Sequence, residues 1–287
     1  MIEKIKPILK DNYRNIFGKD IASPFSDVFF TKCAIEINKI FLHKKENKTS
    51  VPHYKLADNK AGLYNKHLHK DSCFVIAGGS SLKDFDFSVL KDKTTFVSNK
   101  TIFDVPNANY FITTDYTFLN YLKKNSLYDE WKQHSADKFF VANCISDVIQ
   151  NVNGQITDVR YNLNYELQDV DNIIICKSAK SVGFDFEHFN SGYNSGFSSF
   201  QLALIMGYKK IYLLGMDLNF KDEDTHYHGG YGKSSSRMNQ NLIGYANHFI
   251  DVVKKLNKER PDIEVISCSP ISVLNDFIPY KDIKEIL

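Results

Sequence analysis

The sequence predicts an α/β domain built on a mainly parallel sheet with helices on both faces, preceded by a helical N-terminal extension. Three observations lead there. Short, β-rich apolar runs recur through residues 71–287, each too brief for a helix. Stretches with helical spacing lie between several of them, which is the alternation that βαβ units produce. Polar residues then recur just past these runs, and open α/β sheets bind ligands outside the carboxyl ends of their strands.

Residues 1–70 form the extension. Helical stretches are predicted near 3–17 and 25–44, followed by a polar, Lys- and Asn-rich segment over 45–70. Phe30, Ala34, Ile37 and Phe41 fall at alternating four- and three-residue steps, giving the second helix one apolar face. Packing on the main domain is the default for such a face. The alternatives are pairing with another subunit in a homo-oligomer and peripheral contact with a membrane surface among the lysines.

The main domain, 71–287, opens with the strand Cys73–Ala77, which runs straight into Gly78-Gly79-Ser80-Ser81-Leu82. Glycines there let the backbone approach a phosphate or ribose, with N–H groups pointing at it. Further strands are predicted at Thr95–Ser98, Tyr110–Thr114, Phe139–Ala142, Asn172–Cys176, Lys210–Leu214 and Glu264–Ser267. Helical patterns cover Asp115–Lys124, Phe197–Met206 and Met238–Asn257. Asn194 or Ser195 caps the second of these, because a short side-chain oxygen satisfies an N–H of the first turn. Phe197, Phe200, Leu204 and Met206 fill it and Gly207 stops it.

Composition narrows the function classes. Hydrophobic content of 43% with 14% aromatics describes a packed globule. A net charge of +2, with Arg only at 14, 160, 237 and 260, is too balanced for bulk nucleic-acid binding. The five cysteines, 33, 73, 144, 176 and 268, are scattered without a C-x-x-C, and read as buried thiols of a reducing cytoplasm. The N-terminus lacks an apolar signal core and no window suits a spanning helix. The expected location is therefore cytoplasmic, with peripheral association on a membrane surface as the alternative.

Asn99, Asp115, Asn143, Asp217 and Ser269 each follow a predicted strand. Any one alone is a turn former or a cap; five at one end of one sheet predict a shared crevice. Beyond Asp217 comes Thr225-His226-Tyr227-His228-Gly229-Gly230-Tyr231, two imidazoles and two phenols beside a pair of glycines. His188 reads as structural, and Lys177, Ser178 and Lys180 as a solvated loop. There is no Walker A lysine motif, G-x-S-x-G elbow, H-E-x-x-H or full G-x-G-x-x-G, which argues against the corresponding kinase, hydrolase and dehydrogenase classes.

The motifs in order are V-I-A-G-G-S-S-L-K-D-F-D (75–86), S-N-K (98–100), N-S-G through G-M-D (194–217), T-H-Y-H (225–228) and C-S-P-I-S-V-L-N-D-F (268–277). Together they resemble two related groups. One is the bacterial sialyltransferases of glycosyltransferase family 42. The other is the broad family of uncharacterised glycosyltransferases and archaeal pterin pyrophosphokinases with a G-x-G-P-S-L first loop. The likeness covers about 75–280 and is most specific over 194–217.

The resemblance to the sialyltransferases implies a single Rossmann-like nucleotide-binding domain, a GT-A-like variant. It also implies a CMP-sugar donor and inverting displacement without a required cofactor. By position, Gly78, Gly79 and Ser80 would lie against the nucleotide, Asn99 would contact the phosphate or cytidine, and Asp115 would lie near the donor. Ser195 and Gly196 match the Ser-Gly that touches nucleotide and carboxylate, and Asp217 matches the Asp after G-x. The chain departs from the pattern at Ser80, where the family has proline, at Gly78, where it has asparagine, and at Asn219, where it has a phosphate-steadying tyrosine. Gly230 stands where the family places its base, His226 is retained and His228 is new.

Three readings follow. In the first, His226 or His228 takes the acceptor proton while Tyr227 or Tyr231 hydrogen-bonds the departing phosphate, with Ser269 as a further phosphate or sugar contact. The donor would be a CMP-activated acidic sugar, the acceptor a glycan or glycolipid, and the setting surface-polysaccharide or lipo-oligosaccharide assembly. In the second, a pterin pyrophosphokinase holds Mg²⁺ with acids among Asp115, Asp217, Asp222, Glu223 and Asp224. In the third, the chain is a non-catalytic nucleotide-sugar-binding subunit. The first is the one the loop chemistry and the resemblance agree on.

Overall fold

The computed structural model describes residues 55–56, 71–115, 117–141, 149–152, 155–159, 170, 173–176, 179, 182–219, 226–228 and 235–287. The chain divides into two compact units, Met1–Pro52 with Asp147–Tyr161, and His53–Ser146 with Asn162–Leu287. The strands in chain order are β1 (Lys55–Leu56), β2 (Ser72–Ile76), β3 (Thr95–Ser98), β4 (Tyr110–Thr113) and β5 (Asp137–Val141). They continue as β6 (Ile149–Val152), β7 (Gln155–Val159), β8 (Ile173–Cys176), β9 (Lys210–Leu214) and β10 (Glu264–Ser267). In the first unit the described part is the antiparallel pair β6–β7.

The second unit is a Rossmann-like α/β domain on an eight-stranded sheet ordered β1-β8-β5-β4-β3-β2-β9-β10, with each neighbouring pair parallel. Parallel strands buried on both faces need apolar residues at odd and even positions alike, and these have them. Cys73, Val75, Phe96, Ile112, Phe139, Ile211, Leu213 and Val265 face one core. Phe74, Ile76, Val97, Phe111, Phe140, Tyr212, Leu214 and Ile266 face the other. The first core is closed by helices α3 (Ser195–Ile205) and α4 (Ser235–Glu259) through Phe197, Phe200, Leu204, Phe249 and Val252. The second is closed by α1 (Thr117–Lys124) and α2 (Tyr128–Gln133) through Phe118, Leu119, Leu122 and Trp131.

Chain order within the sheet fixes where a ligand can sit. From β2 the chain moves outward through β3, β4, β5 and β8. It then returns through α3 to the other side of β2 as β9, and β10 follows at the edge. The direction of winding therefore reverses at β2, whose Ile76 pairs with Val97 on one side and Leu214 on the other. Beyond the carboxyl ends of strands at such a reversal the flanking loops part and leave a crevice.

Helix α3 is the crossover that makes the reversal. Its N-cap is Asn194, whose Oδ1 accepts the Phe197 N–H at 2.9 Å, the arrangement that satisfies an otherwise orphaned donor. All of its residues are buried, and its polar side chains are satisfied within the protein: Ser198 and Ser199 donate to the Ser191 and Ser195 carbonyls, and Gln201 to those of Gly183 and His188. Gly207, at φ +89°, turns the chain out of it.

The predicted strands of the main domain all form, three of them with the expected bounds. Strand β1 is an addition: Lys55 and Leu56, within the segment read as polar and Lys- and Asn-rich, pair with Ile174 and Ile175 at the sheet edge. The antiparallel pair β6–β7 and the short α2 were also not anticipated. The helices predicted near 3–17 and 25–44, with Phe30, Ala34, Ile37 and Phe41, lie outside the described residues. Among the described residues no helix is long and apolar enough to cross a membrane. Cys73, Cys176 and Cys268 are free and buried, and burial raises their thiols, Cys268 to about 12. Thiols so raised are poor nucleophiles. Cys33 and Cys144 lie outside the described residues.

Candidate functional site

At the reversal, the loop after β2 is bolted to the end of β9 by one buried side chain, Asp217, which is 2% exposed. Its Oδ2 accepts from the Ser81 N–H at 2.8 Å and from Ser80 Oγ at 3.4 Å. Its Oδ1 accepts from Ser81 Oγ at 2.5 Å and from Ser269 Oγ, beyond β10, at 2.7 Å. Three loop segments following β2, β9 and β10 are thus held on one carboxyl group. Gly79 makes the approach feasible. A Cβ there would lie 2.4 Å from the Gly215 carbonyl oxygen and 2.5 Å from Asp217 Cγ, inside any tolerable contact. The Gly79 N–H donates to that same Gly215 carbonyl at 2.9 Å.

The sequence expectation for this loop therefore changes in one respect. Two of its N–H groups, those of Gly79 and Ser81, are spent on Gly215 and Asp217. Asp217 and Ser269 likewise serve each other within the protein, and Ser269 is fully buried.

Over the loop sit the two histidines. The rings of His226 and His228 stack with centroids 4.9 Å apart at 19°. A Cβ on Gly78 would lie 2.9 Å from His226 Cδ2 and 3.2 Å from His228 Nε2, so both imidazoles rest on the glycine backbone. The Tyr227 N–H donates to the Gly78 carbonyl at 3.1 Å and ties the two segments together. Tyr227 points elsewhere: its hydroxyl donates to Asp104 at 2.5 Å and its ring lies 5.4 Å from that of Phe87. The phenol expected to meet a departing phosphate is held by a carboxylate after β3 instead.

The imidazoles are kept neutral. Burial first, then the Lys100 charge, push His226 from its ordinary 6.5 down to about 4, with Asp217 pulling weakly the other way. Burial, Lys100 and His226 push His228 down to about 3. A buried imidazole loses hydration of its charged form, and a nearby cation adds to the penalty. At neutral pH both rings therefore carry a lone pair able to accept a proton.

The remaining wall is built from β4 and α3. Ser195 Oγ accepts from the Thr114 N–H at 3.0 Å and shares a hydrogen bond of 3.0 Å with Thr114 Oγ1. Gly196 packs against Met216 and Ala77. Asn99 adopts φ +54°, and its Oδ1 accepts from Thr113 Oγ1 at 2.8 Å. The Asp115 N–H donates to the same Thr113 hydroxyl at 3.0 Å, and its charge acts on Tyr245 of α4.

The structure thus brings Gly78, Gly79, Ser80, Asn99, Asp115, Ser195, Gly196, Asp217, Tyr227 and the two histidines to one end of one sheet. Ser269 joins them from below through Asp217. Asn219 follows Leu218, itself at φ +47°, at the end of the described run after β9. Asn143, Tyr231, Gly230 and the acids 222–224 lie outside the described residues. Among the described residues no group of His, Cys, Asp and Glu converges as a metal site would. His188 contacts Asp185 at 2.8 Å. Sequence reasoning missed Ser81, Thr114, Asp104 and Lys100. Ser81 and Lys100 adjoin residues it did single out, whereas nothing in the local pattern marks Asp104.

No family model matches the chain, and no curated protein matches it. Among solved structures it is similar to the sialyltransferase CstII from Campylobacter jejuni in complex with cytidine-5'-monophosphate, at 17% identity over 73% of this chain and 84% of that one, TM-score 0.44. It is similar to the same enzyme with CMP-3FNeuAc, at 17% identity over 73% and 85%, TM-score 0.43. An alpha-2,3-sialyltransferase from Campylobacter jejuni in apo form follows at 15% identity over 76% and 84%, TM-score 0.39. Likeness at this level assigns no residue a role.

Proposed function

We propose that the protein is a glycosyltransferase that moves an acidic, sialic-acid-like sugar from a CMP-activated donor to a glycan or glycolipid acceptor with inversion, in surface-polysaccharide or lipo-oligosaccharide assembly. The observation that carries this reading is the pair of neutral imidazoles stacked on Gly78 at the reversal point of the sheet. The sequence likeness over 75–280 supports the same reading. In the displacement the acceptor oxygen bonds to the anomeric carbon as the bond from that carbon to the phosphate oxygen breaks. The acceptor proton passes to His226 or His228, and CMP leaves with the bonding electrons. Asn99, Ser195 and Gly196 would meet the nucleotide and Asp115 the donor, and Asn143, Asn219 and Tyr231 are further donor-contact candidates from the sequence. Asp217, Ser80 and Ser269 position the loop that carries the histidines' seat.

A ligand that binds only the folded state raises its stability by mass action, about 2.7 kcal/mol at a hundredfold excess over Kd. CMP is expected to raise the melting temperature by several degrees without Mg²⁺, and to do so more than UDP, GDP or ATP. A shift confined to ATP with Mg²⁺ would contradict the transferase and favour a pyrophosphokinase.

A further inference from the structure

We infer that Ser272 is a positioning residue for the transfer reaction: it fixes the turn by which the chain leaves β9 for the segment that carries His226 and His228. The inference rests on the reading above. Ser272 lies in the motif C-S-P-I-S-V-L-N-D-F (268–277), three residues beyond Ser269.

Buried backbone carbonyls need donors wherever the sheet ladder stops supplying them. At the end of β9, the carbonyls of Leu214 and Gly215 accept from the Ala77 and Gly79 N–H groups, both at 2.9 Å. Met216 and Asp217, each 2% exposed, take their donors from the segment after β10 instead. The Met216 carbonyl accepts from Ser272 Oγ at 2.7 Å, and the Asp217 carbonyl from the Val273 N–H at 3.1 Å. Ser272 is itself buried and held. Its Oγ accepts from the Leu274 N–H at 3.2 Å and so caps the short 3₁₀ turn Val273–Asp276. Asn275 Nδ2 donates to the Ser269 carbonyl at 3.0 Å and closes the segment on itself.

The turn held in this way is strained. Leu218 adopts φ +47°, with neither the freedom of glycine nor the short polar side chain of Asn or Asp. A bulky residue stays in that region only where its surroundings impose it, and such positions gather at functional sites. Here the imposing bonds fall on the two residues before it. Releasing the Met216 carbonyl lets Leu218 relax, and the chain beyond Asn219 then leaves β9 in another direction. His226 and His228 lie in that continuation, and they rest on Gly78 only while it is aimed there. The Asp217 side chain is bonded to Ser80, Ser81 and Ser269 rather than to Ser272, so the loop after β2 keeps its anchor without the Ser272 hydroxyl.

Two measurements on the full chain test the assignment, comparing wild type with Ser272→Ala and with Ser272→Thr, which keeps the hydroxyl. In transfer from CMP-sialic acid, Ser272→Ala is expected to lower kcat about tenfold to a hundredfold, the cost of misplacing a group by about 1 Å. Its KM for the donor should stay close to wild type, and Ser272→Thr should recover most of the rate. The second measurement is NMR titration of the histidine rings without substrate. In wild type His226 and His228 titrate at about 4 and 3; in Ser272→Ala they should rise towards 6.5 as the rings lose their burial, and Ser272→Thr should restore them. A serine that merely stabilises the fold would lower the melting temperature and leave both titrations alone, and that result overturns the inference. Absence of transfer by wild type overturns the transferase reading, while the titrations still decide whether Ser272 holds the histidines in place.

Discussion

The double variant His226→Ala/His228→Ala is expected to fold and to lose transfer by about 10²–10⁴-fold, the range for removing a general base. Both residues are changed because the rings stack 4.9 Å apart over one glycine and either could take up the proton in the other's absence. Neither ring is fully buried, so circular dichroism should stay near wild type. The same variant carries a stability signature. Folded His226 and His228 titrate near 4 and 3, below the unfolded value of about 6.5. The unfolded chain therefore takes up protons that the folded one refuses as pH falls. The contribution of the neutral pair is complete above about pH 6.5 and is lost progressively as pH drops towards 3. Urea titrations at pH 7.5 and 4.5 should show wild type losing more stability than the variant. Transfer within threefold of wild type would remove the histidines from the mechanism.

Asp217→Ala is expected to cost roughly 3 kcal/mol or more of stability, because it strands the donors of two other segments at once. Ser81 loses acceptors for both its N–H and its Oγ, and Ser269 loses the acceptor for its fully buried hydroxyl. Nucleotide binding should fall with it, since the Gly78 seat of the imidazoles belongs to the loop that Asp217 anchors. Asp217→Asn keeps one carbonyl oxygen and should lose less. An alanine variant within about 0.5 kcal/mol of wild type, the range of an ordinary surface substitution, would show that the three-way tie does not hold the loop.

Much of the architecture was legible in the sequence because parallel strands buried on both faces must read as short apolar runs, as in Ile211-Tyr212-Leu213-Leu214. The cap of α3 was legible too, since Asn194 acts within three residues of itself. The site was legible as a place, through polar residues after successive strands, but its wiring was not. Ser81 meets Asp217 across 136 positions and Tyr227 meets Asp104 across 123. Such pairs depend on β9 returning to lie beside β2, which no local periodicity encodes. Helix α2 was missed because its six residues are too few to show a period, although Trp131 within it is fully buried. The antiparallel pair β6–β7 did have a signal: Asn153-Gly154 stands between its strands in the sequence, a strong short-range mark of a hairpin.

The most direct test of the central claim is the stereochemistry of transfer. Incubating the full chain with CMP-sialic acid and a galactose-terminated glycan, then assigning the anomeric configuration of the product by NMR, should show a new sialoside of configuration opposite to the donor, formed with CMP release. Absence of transfer across CMP-activated acidic sugars, or a product that retains the donor's configuration, would contradict the account.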